Sequence, residues 1–258
     1  TYTTSSDHSS QHYAGIGSWW GGMPPADEEV RQHEDNVNVY VGASRQWGEK
    51  LSAEASVAAE YYHTAVWHRW NLFPTFSMTY KPAAGHLLQF SMGGDKAFPD
   101  YWAVNNFVTY LHGGYNEVVG NPFLKPSNNY RLQAVYVLKN KYQCVAWYNH
   151  QDDYFVQTPY QRQDRLVVQY KNVNFDFNRQ AGVQLSVPFG VGTWLTSRLN
   201  LIGVWMQQKA SYFYDLPFNR HIAYGMASVH STVVVGKLSR FGVERGWNDP
   251  FKGHSGHV

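Results

Sequence analysis

Between residues 173 and 189 the chain alternates strictly. The odd positions read Val173, Phe175, Phe177, Arg179, Ala181, Val183, Leu185, Val187 and Phe189. The even positions read Asn174, Asp176, Asn178, Gln180, Gly182, Gln184, Ser186 and Pro188. Only Arg179 breaks the apolar set. Successive side chains of an extended strand point to opposite faces, so the run predicts one strand with an apolar side and a polar side. At about 3.3 Å per residue it reaches about 55 Å. A strand of a soluble domain has about 5–6 residues, and one crossing a bilayer needs about 9–11. The run exceeds both and fits a tall strand of a large barrel that projects beyond the membrane.

The pattern recurs. Val37, Val39, Val41 and Ala43 oppose Asn38, Tyr40, Gly42 and Ser44. Leu51, Ala53, Ala55, Val57, Ala59 and Tyr61 oppose a set that includes Ser52, Glu54, Ser56 and Glu60. Leu72, Phe76, Met78 and Tyr80 oppose Thr75, Ser77 and Thr79. Leu88, Phe90 and Met92 oppose Gln89, Ser91 and Gly93. Tyr130, Leu132, Ala134, Tyr136 and Leu138 oppose Arg131 and Gln133. Residues 142–150, 195–206 and 222–235 alternate more weakly. Helical periodicity is confined to a short turn within residues 101–110. Tight turns at 48–50, 82–85, 139–141 and 190–192 take turns with longer stretches at 63–71, 94–129, 151–164 and 207–220. Short and long connections in strict succession mark an up-and-down meander across an outer membrane, whereas a Greek-key sandwich does not sort its loops by parity. The expected fold is all-β, an antiparallel up-and-down transmembrane β-barrel, with about ten or eleven strands present.

Composition agrees. Charged residues are 16% and aromatics 17%, where about 25% charged is usual for a soluble domain, yet the mean hydropathy is −0.47. A barrel wall that is apolar on one side only, with Tyr and Trp at both interfaces, reconciles these values. A soluble, aromatic-rich sandwich would do so too. A net charge of +2 without basic runs gives no sign of a nucleic-acid partner. The single Cys144 excludes an internal disulfide framework and a multi-Cys metal site. No stretch approaches 18 consecutive apolar residues, so no transmembrane helix is expected. The polar start at Thr1, without an initiator Met, implies an export signal already removed.

Gly120-Asn121-Pro122-Phe123-Leu124-Lys125-Pro126 resembles the G-N-P-x-L-K-P signature before a late barrel strand of TonB-dependent outer-membrane transporters. The surroundings are similar to the Bacteroidota outer membrane β-barrel family: Phe98-Pro99-Asp100-Tyr101-Trp102 upstream, Leu185 to Phe189 ending a strand, and Trp247-Asn248-Asp249-Pro250-Phe251 near the C-terminus. The resemblance covers about residues 36–251. It implies an N-terminal loop or strand region at 1–35 and barrel strands with loops at 36–258. It also implies a chain that holds the C-terminal part of a larger barrel, since neither a plug domain nor the family's final strand is visible. The two prolines and the glycine stiffen an irregular loop and deliver the chain, extended, into the strand from Tyr130. That role is structural.

Candidate ligand contacts are the aromatics of the long loops: Trp67, Trp70, Tyr101, Trp102, Tyr154, Tyr160, Phe213 and Tyr214. They could stack a glycan or a siderophore-like ligand, or simply form an interfacial girdle or pack loop against loop. His63 and His68 lack the spacing of a metal site, and Asp152-Asp153 reads as solvated charge. Ser228 and His230 share one face of a strand, but a lipid hydrolase would need them on the lipid-facing wall, and no G-x-S-x-G elbow occurs. Catalytic residues, cofactors and metals are therefore not expected. The leading expectation is an outer-membrane barrel that is part of a TonB-dependent importer for a glycan, peptide or metal chelate. Its expected partners are outer-membrane lipid, a TonB-type energy-coupling complex and a surface lipoprotein. A standalone or accessory barrel with a docking role is the alternative, followed by a lipid hydrolase barrel and a soluble glycan-binding sandwich.

Overall fold

The computed structural model describes residues 2–13, 26–63, 68–105, 108–214, 216–235 and 239–249. In chain order the elements are β1 (Tyr2–Tyr13), β2 (Ala26–Trp47), β3 (Leu51–His63), β4 (His68–Tyr80), β5 (His86–Ala97), α1 (Tyr101–Val104) and β6 (Val108–Leu111). There follow a 3-10 turn (His112–Gly114), β7 (Asn116–Val119), β8 (Ser127–Leu138), β9 (Tyr142–Asp152), β10 (Phe155–Gln161), β11 (Val168–Asn174), β12 (Phe177–Val191), β13 (Leu195–Phe213), β14 (Leu216–Val235) and β15 (Ser239–Asp249). The chain divides into two compact units. In the first, Thr1–Gly42 with Ser56–Phe73, β1 pairs antiparallel with β2 from Tyr2↔Val37 to Tyr13↔Ala26.

In the second unit, Ala43–Ala55 with Pro74–Val258, consecutive neighbours β4, β5, β8, β9, β12, β13, β14 and β15 pair antiparallel. The register aligns residues of like character in transverse rows. One row runs Leu88–Tyr136–Cys144–Leu185–Leu201–Ala227, the next Phe90–Ala134–Ala146–Val183–Gly203–Gly225, the third Met92–Leu132–Tyr148–Ala181–Trp205–Ala223. Leu88, Met92, Tyr136, Val183, Leu185, Leu201 and Trp205 are all exposed. So large a contiguous apolar face marks a surface that meets membrane. The buried apolar residues lie largely elsewhere: Ala103, Val104, Leu124, Val167 and Phe175 belong to the connections and not to the wall.

Two expectations are refined. The run at 173–189 is not one strand. β11 ends at Asn174 and β12 begins at Phe177, because Phe175 N–H donates to the Tyr154 carbonyl and Asp153 N–H to the Asp176 carbonyl, pinning the chain as it changes sheets. The long stretches are also less loop-like than the sequence suggests. Residues 94–129 and 151–174 contribute β6, β7, β10 and β11, which form a second sheet in the order β10-β11-β7-β6. Residues 207–220 are mostly strand, since β13 runs to Phe213 and β14 starts at Leu216. Of the short turns, Lys139-Asn140 has positive φ at both residues (54° and 53°), as a tight two-residue hairpin requires.

If the apolar rows meet lipid, a charge at Val183, in the middle row, is costly. Val183→Arg is expected to destabilise the folded protein in liposomes by about 2–4 kcal/mol. Gln143→Arg, on the opposite face of β9, is expected to stay within about 0.5 kcal/mol. Denaturant unfolding measured by tryptophan fluorescence distinguishes them, and equal effects would refute this assignment of faces.

Candidate functional site

The segment 120–126 forms a clasp. A Cβ on Gly120 would lie 1.5 Å from the Asn105 carbonyl oxygen, so only glycine permits that backbone approach. Asn121 N–H donates to the Ala103 carbonyl (2.6 Å), and its side-chain amide donates to the Asn172 carbonyl (2.8 Å). Lys125 N–H donates to Asn174 Oδ1 (2.8 Å), and Asn174 Nδ2 returns the bond to the Lys125 carbonyl (3.0 Å). Leu124 is 1% exposed between these anchors. Pro122 and Pro126 are half-buried and supply no N–H to satisfy. Gly120, Asn121, Leu124 and Lys125 thus tie α1, β11 and the start of β8 together.

The outer connections hold an aromatic cluster. Tyr154 meets Phe175 at 6.1 Å between centroids, and Phe175 meets Phe213 (5.7 Å) and Phe218 (5.6 Å). Phe213 stands edge-on to Tyr214 at 5.0 Å, and Tyr214 stacks on Tyr160 at 4.2 Å and 9°. Burial pushes the Tyr214 hydroxyl above its ordinary range, opposed by a hydrogen-bond contact with Thr158 Oγ1 at 3.1 Å. Four of the candidate contacts, Tyr154, Tyr160, Phe213 and Tyr214, are therefore brought together by Phe175 and Phe218. Sequence reasoning missed both, because alternation cannot distinguish a phenylalanine facing lipid from one inside a loop layer. It also missed Glu117, 1% exposed and paired with Arg165 at 2.5 Å and Arg162 at 4.0 Å, for which no local signal exists.

The other candidates are dispersed. Trp102 stands half exposed on α1. Trp70, in the first unit, is 62% exposed and tilts against Tyr61 at 5.2 Å. Trp67 lies outside the described residues, as does the side chain of Tyr101. Also in the first unit, His63 and His68 place their rings 4.7 Å apart, and His63 Nδ1 is 4.0 Å from Asp35. Among the described residues no group of three or more His, Cys, Asp or Glu is placed to hold a metal ion. Asp152 accepts from His150 (2.7 Å) and Asp153 faces Lys125 (3.9 Å). Ser228 and His230 lie opposite Asn200 and Arg198, on the face away from the apolar rows. Asp249 ends β15, and Pro250 and Phe251 lie outside the described residues.

That second face is a lattice of amides. Asn129 Nδ2 donates to Asp95 Oδ1 (2.6 Å), Gln151 Nε2 to Asn129 Oδ1 (2.9 Å), and Asn178 Nδ2 to Gln151 Oε1 (2.7 Å). Arg131 pairs with Asp95 at 3.1 Å. The bonds cross β5, β8, β9 and β12 in one row. They leave two recesses, one of about 120 Å3 among these amides and one of about 630 Å3 beside Trp147. The arrangement lines this face with amide donors and acceptors around one Asp–Arg pair.

Comparison with known proteins fits this geometry. The profile described as the outer membrane protein beta-barrel family matches residues 5–257. No curated protein matches the chain. Among solved structures, the siderophore receptor PirA from Pseudomonas aeruginosa aligns at a TM-score of 0.52 and 11% identity, covering 88% of this chain and 46% of that one. The ferric enterobactin receptor PfeA, as a mutant from Pseudomonas aeruginosa, aligns at 0.49 and 10% identity, covering 84% and 39%. The siderophore receptor PirA from Acinetobacter baumannii aligns at 0.45 and 12%, covering 84% and 42%. The chain thus spans less than half the length of these receptors, and the similarity to the first is one of fold.

Two consequences of the clasp can be measured. Gly120→Ala is expected to open the layer of outer connections, and Asn121→Ala to weaken it by about 1–3 kcal/mol through lost buried hydrogen bonds. Both should appear as faster proteolysis of residues 98–126, with the wall strands still protected. The second consequence concerns acid. Burial raises the Asp176 carboxyl, but the hydrogen bonds from Ser211 N–H and Oγ, with Lys209 beside it, bring it below its ordinary range. A depressed carboxyl stabilises above its unfolded value, about 3.9, and this is lost as the pH falls through the lower folded value. Pepsin cleavage of the connections should therefore rise as the pH falls below about 4, and Asp176→Asn should show higher cleavage with less pH dependence.

Proposed function

We infer the function from one premise: the chain belongs to the outer membrane protein β-barrel family. It is an outer-membrane β-barrel protein whose wall has one apolar and one polar face. We read it as part of a TonB-dependent importer that carries a scarce nutrient inward, with the polar face of β5, β8, β9 and β12 turned to the lumen. The observation that carries this reading is the amide lattice from Asp95 through Asn129 and Gln151 to Asn178. A barrel that served only to dock a partner has no need of a continuous row of hydrogen-bonding groups, three amides anchored on one carboxylate, on that face. The siderophore receptor PirA from Pseudomonas aeruginosa named above supports a nutrient that includes a metal chelate, and a glycan or peptide is the other class.

The finer points belong to the same proposal. The Gly120–Pro126 and Phe98–Trp102 segments favour the Bacteroidota branch of these transporters. Energy would come from a TonB-type inner-membrane complex, with a surface lipoprotein as a further partner. Within the whole barrel, residues 1–35 form an N-terminal region and 36–258 wall and loops, and the exposed Trp70, which lies in β4 and not in a loop, and Trp102 of α1 are the aromatics available to incoming ligand.

Uptake tests this directly. The native protein, expressed in a deletion strain, is expected to restore uptake of a limiting nutrient only while the energy-coupling complex is intact. Uptake that persists without the complex, or a deletion strain that loses no uptake on iron-limited or glycan-limited medium, would overturn the importer reading in favour of an accessory barrel.

A further inference from the structure

The recess of about 630 Å3 on the polar face is built around one aromatic side chain. Trp147 lies opposite Gln133 on β8 and Gly182 on β12. A Cβ on Gly182 would meet Trp147 Cζ2 at 2.2 Å, Cε2 at 2.5 Å and Cη2 at 2.7 Å. The indole therefore lies across the direction in which a side chain at 182 would project. The indole thus lies over the Gly182 backbone, and the half-buried Trp147 lines the recess. An aromatic ring held against a glycine in the lining of a recess can serve as a stacking surface.

Its surroundings decide what would stack there. Gln133, Asn149 and Gln184 line the same recess. Among the described residues neither Gln133 nor Gln184 spends its side-chain amide on a hydrogen bond. Asn149 makes only a long one, donating from Nδ2 to Gln180 Oε1 at 3.5 Å, so its carbonyl oxygen remains available. Arg131 also lines the recess, but Asp95 neutralises it at 3.1 Å. A recess of several hundred cubic ångströms is of ligand size. Its wall presents no unbalanced charge for an anionic chelate. It presents a flat apolar plate ringed by uncharged donors and acceptors.

We propose that this recess is a subsite for a neutral, hydroxyl-rich ligand, a pyranose unit whose apolar ring face stacks on Trp147 and whose hydroxyls bond to Gln133, Asn149 and Gln184. The proposal rests on the importer reading, because it takes this face to be the lumen. It narrows the cargo from nutrients in general to glycans.

The test uses the full chain folded in lauryldimethylamine oxide, a detergent without a sugar headgroup, with folding checked by heat-modifiable gel migration. Maltohexaose, cellohexaose and ferric enterobactin are titrated separately by calorimetry. One of the hexasaccharides is expected to bind. Trp147→Ala should weaken it about tenfold or more, roughly the scale of one aromatic contact. Trp147→Phe should retain most of the affinity, and Gln133→Ala and Gln184→Ala should each cost a few-fold. If Trp147→Ala does not fold, the two glutamine variants, which leave the plate in place, decide. Failure of both hexasaccharides to bind the folded protein, or affinity indifferent to Trp147 and to both glutamines, overturns the subsite. Binding of ferric enterobactin alone overturns the sugar and leaves the importer reading standing. That reading is judged separately, by energy-coupled uptake in cells.

Discussion

Hydrocarbon offers the backbone no hydrogen-bond partner, so within a bilayer every N–H and C=O must find one on a neighbouring strand. Most of what the wall does follows from that. Continuous antiparallel pairing from β5 to β14 forces each residue into a fixed transverse row, and a row is wholly on one face or wholly on the other. The Phe90–Ala134–Ala146–Val183 row and the Gly93–Arg131–Asn149–Gln180 row are products of the same ladder. One suits lipid, the other water and solute. A register slip of a single residue would exchange them.

Outside the wall the rule relaxes, and the chain uses the freedom. The connections 98–126 and 153–176 leave the ladder and satisfy their own backbone groups in a four-stranded sheet. Val168 N–H donates to the Tyr115 carbonyl and Arg162 N–H to the Val167 carbonyl, extending the pairing past the strand ends. The sheet then needs a core of its own. Leu124, Val167 and Phe175 supply it, and the buried Glu117 is tolerated because Arg165 and Arg162 reach it. The clasp at Gly120 and Asn121 binds α1 and β11 of this layer to each other. The aromatic cluster of these connections thereby stands on a packed element.

The wall was legible in the sequence because period 2 survives wherever one face meets lipid and the other does not, as in β12. It was faint in β13 and β14. There Ile202, Val204 and Met206 occupy the polar-face rows while Ser197 and Ser231, hydrogen-bond partners at 2.8 Å, occupy the apolar ones. Apolar and polar residues then occur on both faces and the contrast fades. The structural role of the 120–126 segment could be read from its prolines and glycine. Its partners could not: Ala103, Asn172 and Asn174 lie far off in sequence, and nothing local marks an asparagine that will bond to a loop. The loop strands were hidden for a related reason. β6, β7 and β10 are short, and Phe175 continues the alternation of β12 although it packs among Tyr154, Phe213 and Phe218.

Arg179 is the exception that shows where the bilayer ends. It falls in the row Tyr130–His150–Arg179–Gln207–His221, directly above the row that carries Tyr148 and Trp205. Its guanidinium lies 3.9 Å from the Phe177 ring centroid, and its Nε donates to His150 Nδ1 at 3.1 Å. The other imidazole nitrogen then carries the proton and donates to Asp152 Oδ1 at 2.7 Å. An arginine facing the middle of the bilayer costs about 2–4 kcal/mol, but near the interface about 0–1. Tyr and Trp favour that same interface. By these costs the row of Tyr148 and Trp205 suits the edge of the hydrocarbon, and the row of Arg179 suits the headgroup layer. The residue that breaks the apolar alternation does so one step above the level at which alternation stops being required.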